Sequence, residues 1–312
     1  DAMAGMKTAF IFPGQGAQTV GMGADLGTKA DNLFAQANQI LGYDLKQLCL
    51  HGPEEKLNST IYSQPAIFVV SAALLRLLKE ARPGLEPDVT AGLSMGEYTA
   101  LYAAGLISFD EALQLVQKRG QAMQEAADAT SGSMVSILGL EEDQVRQLCS
   151  QAADGQILEP VNFNCPGQIV ISGHKEACQR ACEMAEKFGA MKAVPLAVAG
   201  AFHTKQMNPA AQKLAQALEQ CEIRNPSSIK VIANIDAEYY KSSDSVRKGL
   251  TRQLIEPILW QKCMERLLAE GVQEFYEIGP GRVLTGLMKR INRKARVINI
   301  SSAESLSGLA SP

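Results

Sequence analysis

The chain has 312 residues, of which 46% are apolar and 20% are charged, and its formal net charge at pH 7 is -3. This length allows one large domain or two smaller ones, and the composition is that of an ordinary globular protein. The mild negative charge disfavours nucleic acid as a partner, because nucleic-acid-binding proteins need a strongly positive face. No apolar run approaches the roughly 20 residues of a membrane span, so we expect no membrane partner either.

Cysteine and histidine usage disfavours disulfides and metal sites. The seven cysteines are an odd number without a CxxC pair, and three histidines are too few to complete a Cys/His site. We therefore expect no disulfide framework, no metal and a reducing compartment. The chain begins without a cationic, apolar signal peptide, which predicts a cytoplasmic protein, or one in the lumen of a plastid or another organelle if a transit peptide has been removed.

Short apolar segments alternate with longer amphipathic ones along most of the chain, which is typical of an α/β domain with a mainly parallel sheet. Residues 7–12 predict the first strand, which ends in the turn PGQGAQ. Residues 65–81 predict a helix, and residues 88–93 predict a short strand that runs into GLSMGEY. Another helix is predicted over 108–127, where SFDE has the spacing of a capping box.

The alternation changes between Ser133 and Val198. The segments there predict strand, helix, strand, strand, helix and strand, and this βαββαβ order is the ferredoxin-like signature. We therefore expect a core made of residues 6–130 and 199–300 and an inserted subdomain of residues 131–198. Residues 301–312 are expected to form a mobile tail.

Ser94 has a glycine two residues away on each side, in the sequence Gly92-Leu93-Ser94-Met95-Gly96. The pattern G-x-S-x-G is typical of a nucleophile elbow, a sharp strand-to-helix turn that lifts a serine hydroxyl out of the sheet. The following helix would direct its N-terminal amides to the place where negative charge develops. The alternative is structural, since two glycines also allow a strand to pack closely against a helix.

A serine nucleophile requires a base, and the chain offers three histidines. His51 lies at a predicted helix end beside Gly and Pro, and His174 lies at the start of a predicted helix, so structural roles explain both. His203, in GAFHTKQM, follows a strand in a loop of small residues, from which a base can reach a neighbouring strand end. We take His203 as the candidate base, and a buried structural histidine is the alternative.

Arg119 interrupts an apolar stripe of the helix predicted over 108–127. The other positions of the stripe carry Ala112, Val116, Met123 and Ala127. An unpaired guanidinium is costly among apolar neighbours, so the pattern predicts a carboxylate partner from the protein or from a ligand. A snorkelling arginine or an internal salt bridge would explain the same pattern.

The turn Gly14-Gln15-Gly16 is rich in glycine but matches neither common phosphate-binding motif. It lacks the Lys-Ser/Thr pair of a P-loop and the third glycine of G-x-G-x-x-G. A loop after the first strand can instead offer a backbone N–H to an oxyanion, as in nucleophile-elbow enzymes. We expect the backbone amides of Gln15 and Met95 to form such an oxyanion hole.

Longer motifs are spread from Lys7 to Ile300 in a characteristic order and spacing. They are FIFPGQGAQ, GLSMGEYTAL, QKRGQAMQ, NFNCPGQIVISG, GAFHTKQM, LTRQLIEPILW and EIGPGRVLTGL. Several of them are far more specific than G-x-S-x-G. Together they resemble the malonyl-CoA:acyl carrier protein transacylases of type II fatty acid synthesis, a family of acyltransferases.

The resemblance implies a role for each candidate site residue. Ser94 would be the acylated nucleophile, His203 the base and Arg119 the clamp for the malonyl carboxylate. The amides of Gln15 and Met95 would form the oxyanion hole. The implied fold is α/β, with an α/β-hydrolase-like core, a parallel sheet and an inserted ferredoxin-like (βαββαβ) subdomain.

The resemblance also covers residues beside the reacting groups. Gln253 matches a glutamine near the family's site, and Phe202 matches a phenylalanine associated with malonyl rather than methylmalonyl use. The chain departs from the family pattern at Leu93, where many members have histidine. We interpret Leu93 as tolerated packing next to the elbow, at a position that bears on the fine acyl preference.

The implied reaction has two half-reactions. The malonyl group of malonyl-CoA would pass to Ser94 and then to the phosphopantetheine thiol of acyl carrier protein. No metal or bound cofactor is needed, and a monomer is expected.

Two other functions stay open from the sequence. The first is a serine thioesterase or another hydrolase, which would carry an acidic residue after the serine and before the histidine in the sequence. The second is an acyltransferase with the same site that serves a polyketide carrier protein. The acidic candidates in that interval are Asp128, Asp143, Asp154 and Glu159. A non-catalytic carrier-docking module is disfavoured, because all the reactive residues are present.

Overall fold

The computed structural model describes residues 6–309. The strands are β1 Thr8–Phe12, β2 Val89–Gly92, β3 Gly132–Leu138, β4 Leu158–Cys165, β5 Gln168–His174, β6 Lys192–Pro195, β7 Lys230–Val231, β8 Glu274–Ile278 and β9 Arg296–Ile300. The α-helices are α1 Asp31–Leu41, α2 Leu45–His51, α3 Glu54–Asn58, α4 Thr60–Ala81, α5 Gly96–Ala103, α6 Phe109–Asp128, α7 Glu142–Ala153, α8 Lys175–Met184, α9 Asn208–Glu219, α10 Ser243–Gln253, α11 Trp260–Ala269, α12 Val283–Ile291 and α13 Ala303–Ser307. Short 3-10 helices cover Ala24–Ala30, Ala185–Phe188 and Lys205–Met207.

Five strands form a parallel sheet in the order β7-β2-β1-β8-β9. Phe10 and Phe12 of β1 belong to one apolar cluster and Ala9 and Ile11 to another, so the sheet is covered on both faces. This confirms the predicted α/β fold with a parallel sheet. Phe12 pairs with Gly92 at the carboxyl ends of β1 and β2, and the loops that follow these strands therefore emerge side by side.

Helix α4 is buried along nearly its whole length in the core. It spans 22 residues and has the length and apolar character of a membrane span, but 83% of its apolar window lies inside the protein. The expectation that no apolar run approaches this length was therefore wrong. The helix begins at Thr60, five residues before the predicted start at Pro65, and its first turns add to the apolar run.

Helix α6 carries Arg119 against α4. Its start was predicted as a capping box, and the Ser108 side chain does accept a hydrogen bond from the Glu111 N–H at 3.2 Å. The Glu111 carboxylate, however, accepts a hydrogen bond from the backbone N–H of Glu222, also at 3.2 Å. Only the serine half of the box is therefore used, and the glutamate ties α6 to the segment after α9.

A second sheet contains the four antiparallel strands between residues 132 and 195, in the order β4-β5-β3-β6. Its elements follow one another as β3, α7, β4, β5, α8 and β6, which is the order predicted from the sequence. Helices α7 and α8 pack together and bury a separate apolar cluster against this sheet. This part of the chain therefore has a core of its own.

The segment after β9 does not extend away from the protein as the predicted mobile tail would. Residues 303–307 form α13, and the Asp25 carboxylate accepts hydrogen bonds from the N–H groups of Ala303 and Glu304 at 3.0 and 3.1 Å. Leu306 and Leu309 pack against the core. The tail prediction is corrected for residues 301–309, because these contacts fix the start of the helix, and residues 310–312 lie outside the described part.

Candidate active site

Ser94 lies on a sharp turn between the end of β2 and the start of α5. Its φ angle is 55°, in the left-handed region that non-glycine residues rarely adopt. A Cβ atom on Gly92 would lie 1.9 Å from the carbonyl carbon of Gly96, and one on Gly96 would lie 2.3 Å from the carbonyl oxygen of Phe12. The two glycines are therefore required by the close approach of three backbone segments.

The hydroxyl of Ser94 is within hydrogen-bond distance of His203, and the distance from Oγ to Nε2 is 3.1 Å. On the other side of the ring, Nδ1 lies 2.6 Å from the backbone carbonyl oxygen of Gln253. Because a carbonyl can only accept, Nδ1 carries the hydrogen and Nε2 keeps a lone pair. The imidazole is thus in the tautomer that can accept the serine proton.

The environment of His203 keeps its imidazole neutral. Burial and the positive charge of Arg119 lower the pKa of His203 from 6.5 to about 4, and the hydrogen bond to the Gln253 carbonyl opposes them only in part. Protonation would place a second positive charge on a buried ring beside Arg119. At neutral pH the ring is therefore available as a base.

The acidic residues considered for a hydrolase do not orient this histidine. Within residues 6–309, none of them is a hydrogen-bond partner of His203. Asp128 is the last residue of α6, and Asp143 lies in the first turn of α7. Asp154 follows α7, and Glu159 lies in β4. The Gln253 carbonyl occupies the position that a carboxylate has in a Ser-His-Asp triad.

Arg119 is buried, with 1% of its surface exposed, and its guanidinium reaches Ser94. Nη2 donates to Ser94 Oγ at 3.0 Å and to Gln253 Oε1 at 2.9 Å, and Nη1 donates to Gln64 Oε1 at 2.9 Å. All three acceptors are uncharged. No salt bridge in the described part of the chain includes Arg119, so the predicted carboxylate partner does not come from residues 6–309.

Gln253 joins the other three groups. Its backbone carbonyl binds His203, its Oε1 accepts from Arg119, and its Nε2 donates to the backbone carbonyl of Ser94 at 3.0 Å. The sequence placed Gln253 near the site only through the family resemblance. It gave no signal for Gln64, which lies in the first turns of α4, where glutamine is an ordinary helix residue.

The loop after β1 lies directly against the elbow. A Cβ atom on Gly14 would lie 2.3 Å from the Leu93 carbonyl oxygen and 3.7 Å from the Met95 nitrogen. The Gln15 side chain is fixed by a hydrogen bond, which its Nε2 donates to Thr60 Oγ1 at 3.1 Å. Gln15 and Met95 both line the same cavity as Ser94. Their amides are thus close to the nucleophile, and their role as an oxyanion hole stays a prediction.

The reacting groups open into a cavity of about 100 Å³ between the parallel sheet and the subdomain. Phe202 lines it and is buried, and Leu93 lines it and is half-buried. Its other side-chain walls are Met123, Met134, Asn162, Leu196 and Val198. This lining is mostly apolar, so Arg119 is the charged group that faces a ligand carried beside Ser94.

The other two histidines lie elsewhere, as their structural interpretation predicted. His51 is the last residue of α2, and His174 accepts a hydrogen bond from the N–H of Ile157 at 2.9 Å. The seven cysteines are free thiols. Within residues 6–309 no group of three or more His, Cys, Asp or Glu side chains could hold a metal ion.

The chain is similar to known proteins over nearly its whole length. The family model described as acyl transferase domain matches residues 9–309. The malonyl CoA-acyl carrier protein transacylase of Escherichia coli (strain K12) is 46% identical over 286 residues, which cover 91% of this chain and 92% of that protein.

Solved structures agree with this similarity. The malonyl CoA-acyl carrier protein transacylase of Coxiella burnetii matches with a TM-score of 0.94 at 39% identity, and the match covers 99% of this chain and 98% of that chain. A malonyl-transacylase in complex with its type II PKS acyl-carrier protein matches with a TM-score of 0.93 at 44% identity, and the match covers 96% of this chain and 98% of that chain.

Proposed function

Since the chain belongs to the acyl transferase family, we propose that it transfers the malonyl group of malonyl-CoA to the phosphopantetheine thiol of acyl carrier protein. The reaction passes through a malonyl-Ser94 intermediate and supplies fatty acid synthesis. One observation carries the proposal: Ser94 Oγ lies 3.1 Å from the base His203 and 3.0 Å from the buried cation Arg119. A nucleophile, its base and a group that attracts a carboxylate thus meet at one point.

In the first half-reaction, Ser94 Oγ attacks the thioester carbonyl of malonyl-CoA while His203 Nε2 takes the hydroxyl proton. A well-placed base contributes about 10²–10⁴-fold to such a step. The amides of Gln15 and Met95 stabilise the oxyanion. The tetrahedral intermediate then expels the CoA sulfur, which receives the proton from His203, and malonyl-Ser94 remains.

The second half-reaction reverses these steps with a different thiol. The phosphopantetheine thiol gives its proton to His203, its sulfur attacks the malonyl ester, and Ser94 Oγ leaves and takes the proton back. The scheme uses no metal and no bound cofactor. All the groups come from one chain, which supports a monomer as the acting unit.

Arg119 makes the site selective for acyl groups that carry a carboxylate. Its present partners are the neutral oxygens of two glutamines and Ser94, so an incoming carboxylate supplies the negative charge that the buried guanidinium lacks. An acetyl group would leave the cation without it, and an unpaired buried charge costs several kcal/mol, on the order of 3–5. The family resemblance and this geometry favour malonyl over acetyl as substrate.

The domain assignment is part of the proposal. We assign residues 6–130 and 199–300 to an α/β-hydrolase-like core, which a nucleophile at the carboxyl end of a parallel strand supports. We assign residues 131–198 to a ferredoxin-like subdomain. The strand order β4-β5-β3-β6 and the separate apolar cluster support that assignment.

The proposed function is tested by intact mass and by product. Malonyl-CoA should add one malonyl group to the protein, and acyl carrier protein with its phosphopantetheine arm should remove it. Release of free malonate without carrier would indicate a hydrolase, which the missing carboxylate beside His203 disfavours. Fatty-acid and polyketide carriers should be compared, because one of the similar solved structures holds a type II PKS acyl-carrier protein.

The pH profile of the first half-reaction should reflect the lowered pKa of His203. We expect kcat/KM for malonyl-CoA to stay level down through pH 6.5, the ordinary histidine value, and to fall only as the pH approaches about 4. The sign follows from the need for a neutral base, since protonation at low pH removes the lone pair on Nε2. Rapid mixing from neutral buffer into each pH, with circular dichroism as a check of folding, gives the profile.

Arg119→Ala provides the control for this profile, measured with acetyl-CoA because the variant lacks the carboxylate clamp. Removing the positive charge should raise the pKa of His203 and shift the acid limb to higher pH. An acid limb near 6.5 in the wild-type protein would contradict the prediction, because an exposed histidine titrates there.

Phe202→Ser should change the choice between malonyl and methylmalonyl groups. Phe202 is buried beside His203 and lines the cavity, so its ring limits the space beside the malonyl C2. The variant is expected to raise the ratio of kcat/KM for methylmalonyl-CoA over malonyl-CoA. An equal change for both substrates would mean that the ring does not contact the acyl group.

A further inference from the structure

A buried asparagine with no motif around it holds the elbow at both ends. Asn234 is fully buried in the segment between β7 and α10. Its Nδ2 donates to the carbonyl of Gly92 at 2.7 Å, and its Oδ1 accepts from the N–H of Ser94 at 2.8 Å. One side-chain amide thus closes the turn from the last residue of β2 to the nucleophile itself.

The same Oδ1 accepts a second hydrogen bond, from Gln253 Nε2 at 3.2 Å. Gln253 in turn holds His203 through its carbonyl and Arg119 through its side chain. Asn234 therefore connects the nucleophile to the residue that fixes both the base and the cation.

Asn234 is itself held firmly in place. Its backbone N–H donates to Glu97 Oε1 at 2.7 Å, and its backbone carbonyl accepts from the N–H of Leu259 at 2.8 Å. Glu97 is buried in the first turn of α5, and its Oε2 accepts from the Tyr240 hydroxyl at 2.8 Å. The helix that follows the nucleophile and the segment that carries Asn234 are thus joined by hydrogen bonds to one buried carboxyl group, whose pKa burial raises to about 7.

We propose that Asn234 is a positioning residue of the transfer reaction, which sets the direction of the Ser94 side chain and its distance to His203 and Arg119. This inference rests on the proposed function. A non-glycine residue at a φ of 55° persists only when its surroundings hold it there, and the bond from the Ser94 N–H fixes that angle. That N–H is also occupied, so it is not available as an oxyanion donor.

To bind both backbone groups of the turn, the side chain at position 234 must donate to the Gly92 carbonyl and accept from the Ser94 N–H, as the asparagine amide does. A carboxylate would present an oxygen to the Gly92 carbonyl and repel it, and an alanine would leave both backbone groups of the turn unpaired. A protonated carboxylic acid, by contrast, has the shape of the amide and can donate to Gly92 while accepting from Ser94. Asn234→Asp should therefore act as a defective variant when ionised and as a near copy of the asparagine when protonated.

The test measures the rate constant of malonyl transfer to Ser94 in a single turnover, by rapid quench and intact mass. Asn234→Ala and Asn234→Asp at neutral pH are expected to lower it by roughly ten- to a hundredfold, since a small misplacement of reacting groups has effects of this size. The concentration of malonyl-CoA at half-maximal rate should change little. The final malonyl content per chain counts folded molecules, so loss of folded protein does not imitate a loss of rate.

The pH dependence distinguishes positioning from a structural role. The rate constant of each variant is divided by that of the wild type at the same pH. For Asn234→Asp this ratio should rise as the pH falls, whereas for Asn234→Ala it should stay low. The titratable and charged groups near this side chain are Glu97, whose pKa burial raises to about 7, and Tyr240 on one side, and His203 and Arg119, through Gln253, on the other. The ratio for Asn234→Ala over the same pH range shows how much their titration alone changes the rate constant when the side-chain amide is lost. A flat ratio for Asn234→Asp would count against the proposal.

Asn38→Ala is the matched control. Asn38 lies in α1, and its side chain also accepts a backbone hydrogen bond, from the Leu45 N–H at the start of α2 at 2.7 Å, and donates to Asp44. It does not line the cavity. Its rate constant should equal that of the wild type. Asn234→Ser, whose hydroxyl can meet one of the two backbone partners, should give an intermediate rate if the larger changes prevent folding.

The outcomes separate this inference from the proposed function. If the wild-type protein gains no malonyl group, the proposed function fails. If it does, and the folded fractions of the Asn234 variants react at the wild-type rate constant, Asn234 only stabilises the fold and the inference is overturned.

Discussion

Ser94→Ala protein is expected to gain no mass when it is mixed with malonyl-CoA, whereas the wild-type protein gains one malonyl group. The hydroxyl is the only group of this residue that faces both His203 and Arg119, and alanine removes it without disturbing the turn. The left-handed backbone of the elbow is as accessible to alanine as to serine. Intact mass spectrometry after mixing measures the adduct.

His203→Ala should keep the fold and slow formation of the adduct by about 10²–10⁴-fold, the usual contribution of a general base. His51→Ala is the matched control, because His51 is exposed at the end of α2 and should react at the wild-type rate. A Ser94→Ala protein that still gained the malonyl mass would end the assignment of the nucleophile. An unchanged rate in His203→Ala would remove the base from the mechanism.

The elbow could be predicted from the sequence because its requirements are local. Gly92 and Gly96 frame Ser94 at a fixed spacing, and the structure explains both glycines by contacts within one turn and with Phe12. The order of strands and helices in the subdomain, β3 to β6, followed in the same way from apolar periodicity. Boundaries were less well predicted, since Thr60 begins α4 before Pro65 and β7 contains only two residues.

The partners of the reacting groups could not be predicted from residue types. A search for an acid beside His203 looks for Asp or Glu, but the group that orients its ring is the backbone carbonyl of Gln253, 50 residues away. A backbone carbonyl has no signature in the sequence. Asn234 contacts Ser94 across 140 residues, and nothing around it distinguishes it from an ordinary loop asparagine.

The position of Arg119 was informative because it contradicted its local pattern. A cation in an apolar stripe needs a partner, and the sequence left the protein and a ligand equally open as its source. The structure limits the choice, because the acceptors around the guanidinium within residues 6–309 are neutral. The nearby Glu97 carboxylate is instead engaged with Asn234 and Tyr240.

Arg119→Ala is expected to reverse the preference of the enzyme between malonyl-CoA and acetyl-CoA. Loss of one partner of a buried, hydrogen-bonded charge pair costs roughly 2–5 kcal/mol, so kcat/KM for malonyl-CoA should fall about 30- to several-thousand-fold. Acetyl-CoA carries no carboxylate and should be used as well as before, or better, because the variant no longer buries an unpaired cation beside the acyl group. Arg119→Lys should recover only part of the malonyl activity, since an ammonium keeps the charge but loses the planar fork.

The decisive quantity is the ratio of kcat/KM for malonyl-CoA over acetyl-CoA in the wild-type protein and in both variants. Lys118→Ala is the control, because it removes one positive charge from the exposed side of the same helix and should leave the ratio unchanged. Removing the guanidinium also leaves Gln64 Oε1 and Gln253 Oε1 without their donor, so some loss of thermal stability is expected and has to be measured separately. A proportional loss for both substrates would mean that Arg119 acts only by holding Gln64, Gln253 and Ser94 together. A loss confined to malonyl-CoA would instead assign the guanidinium to the substrate carboxylate.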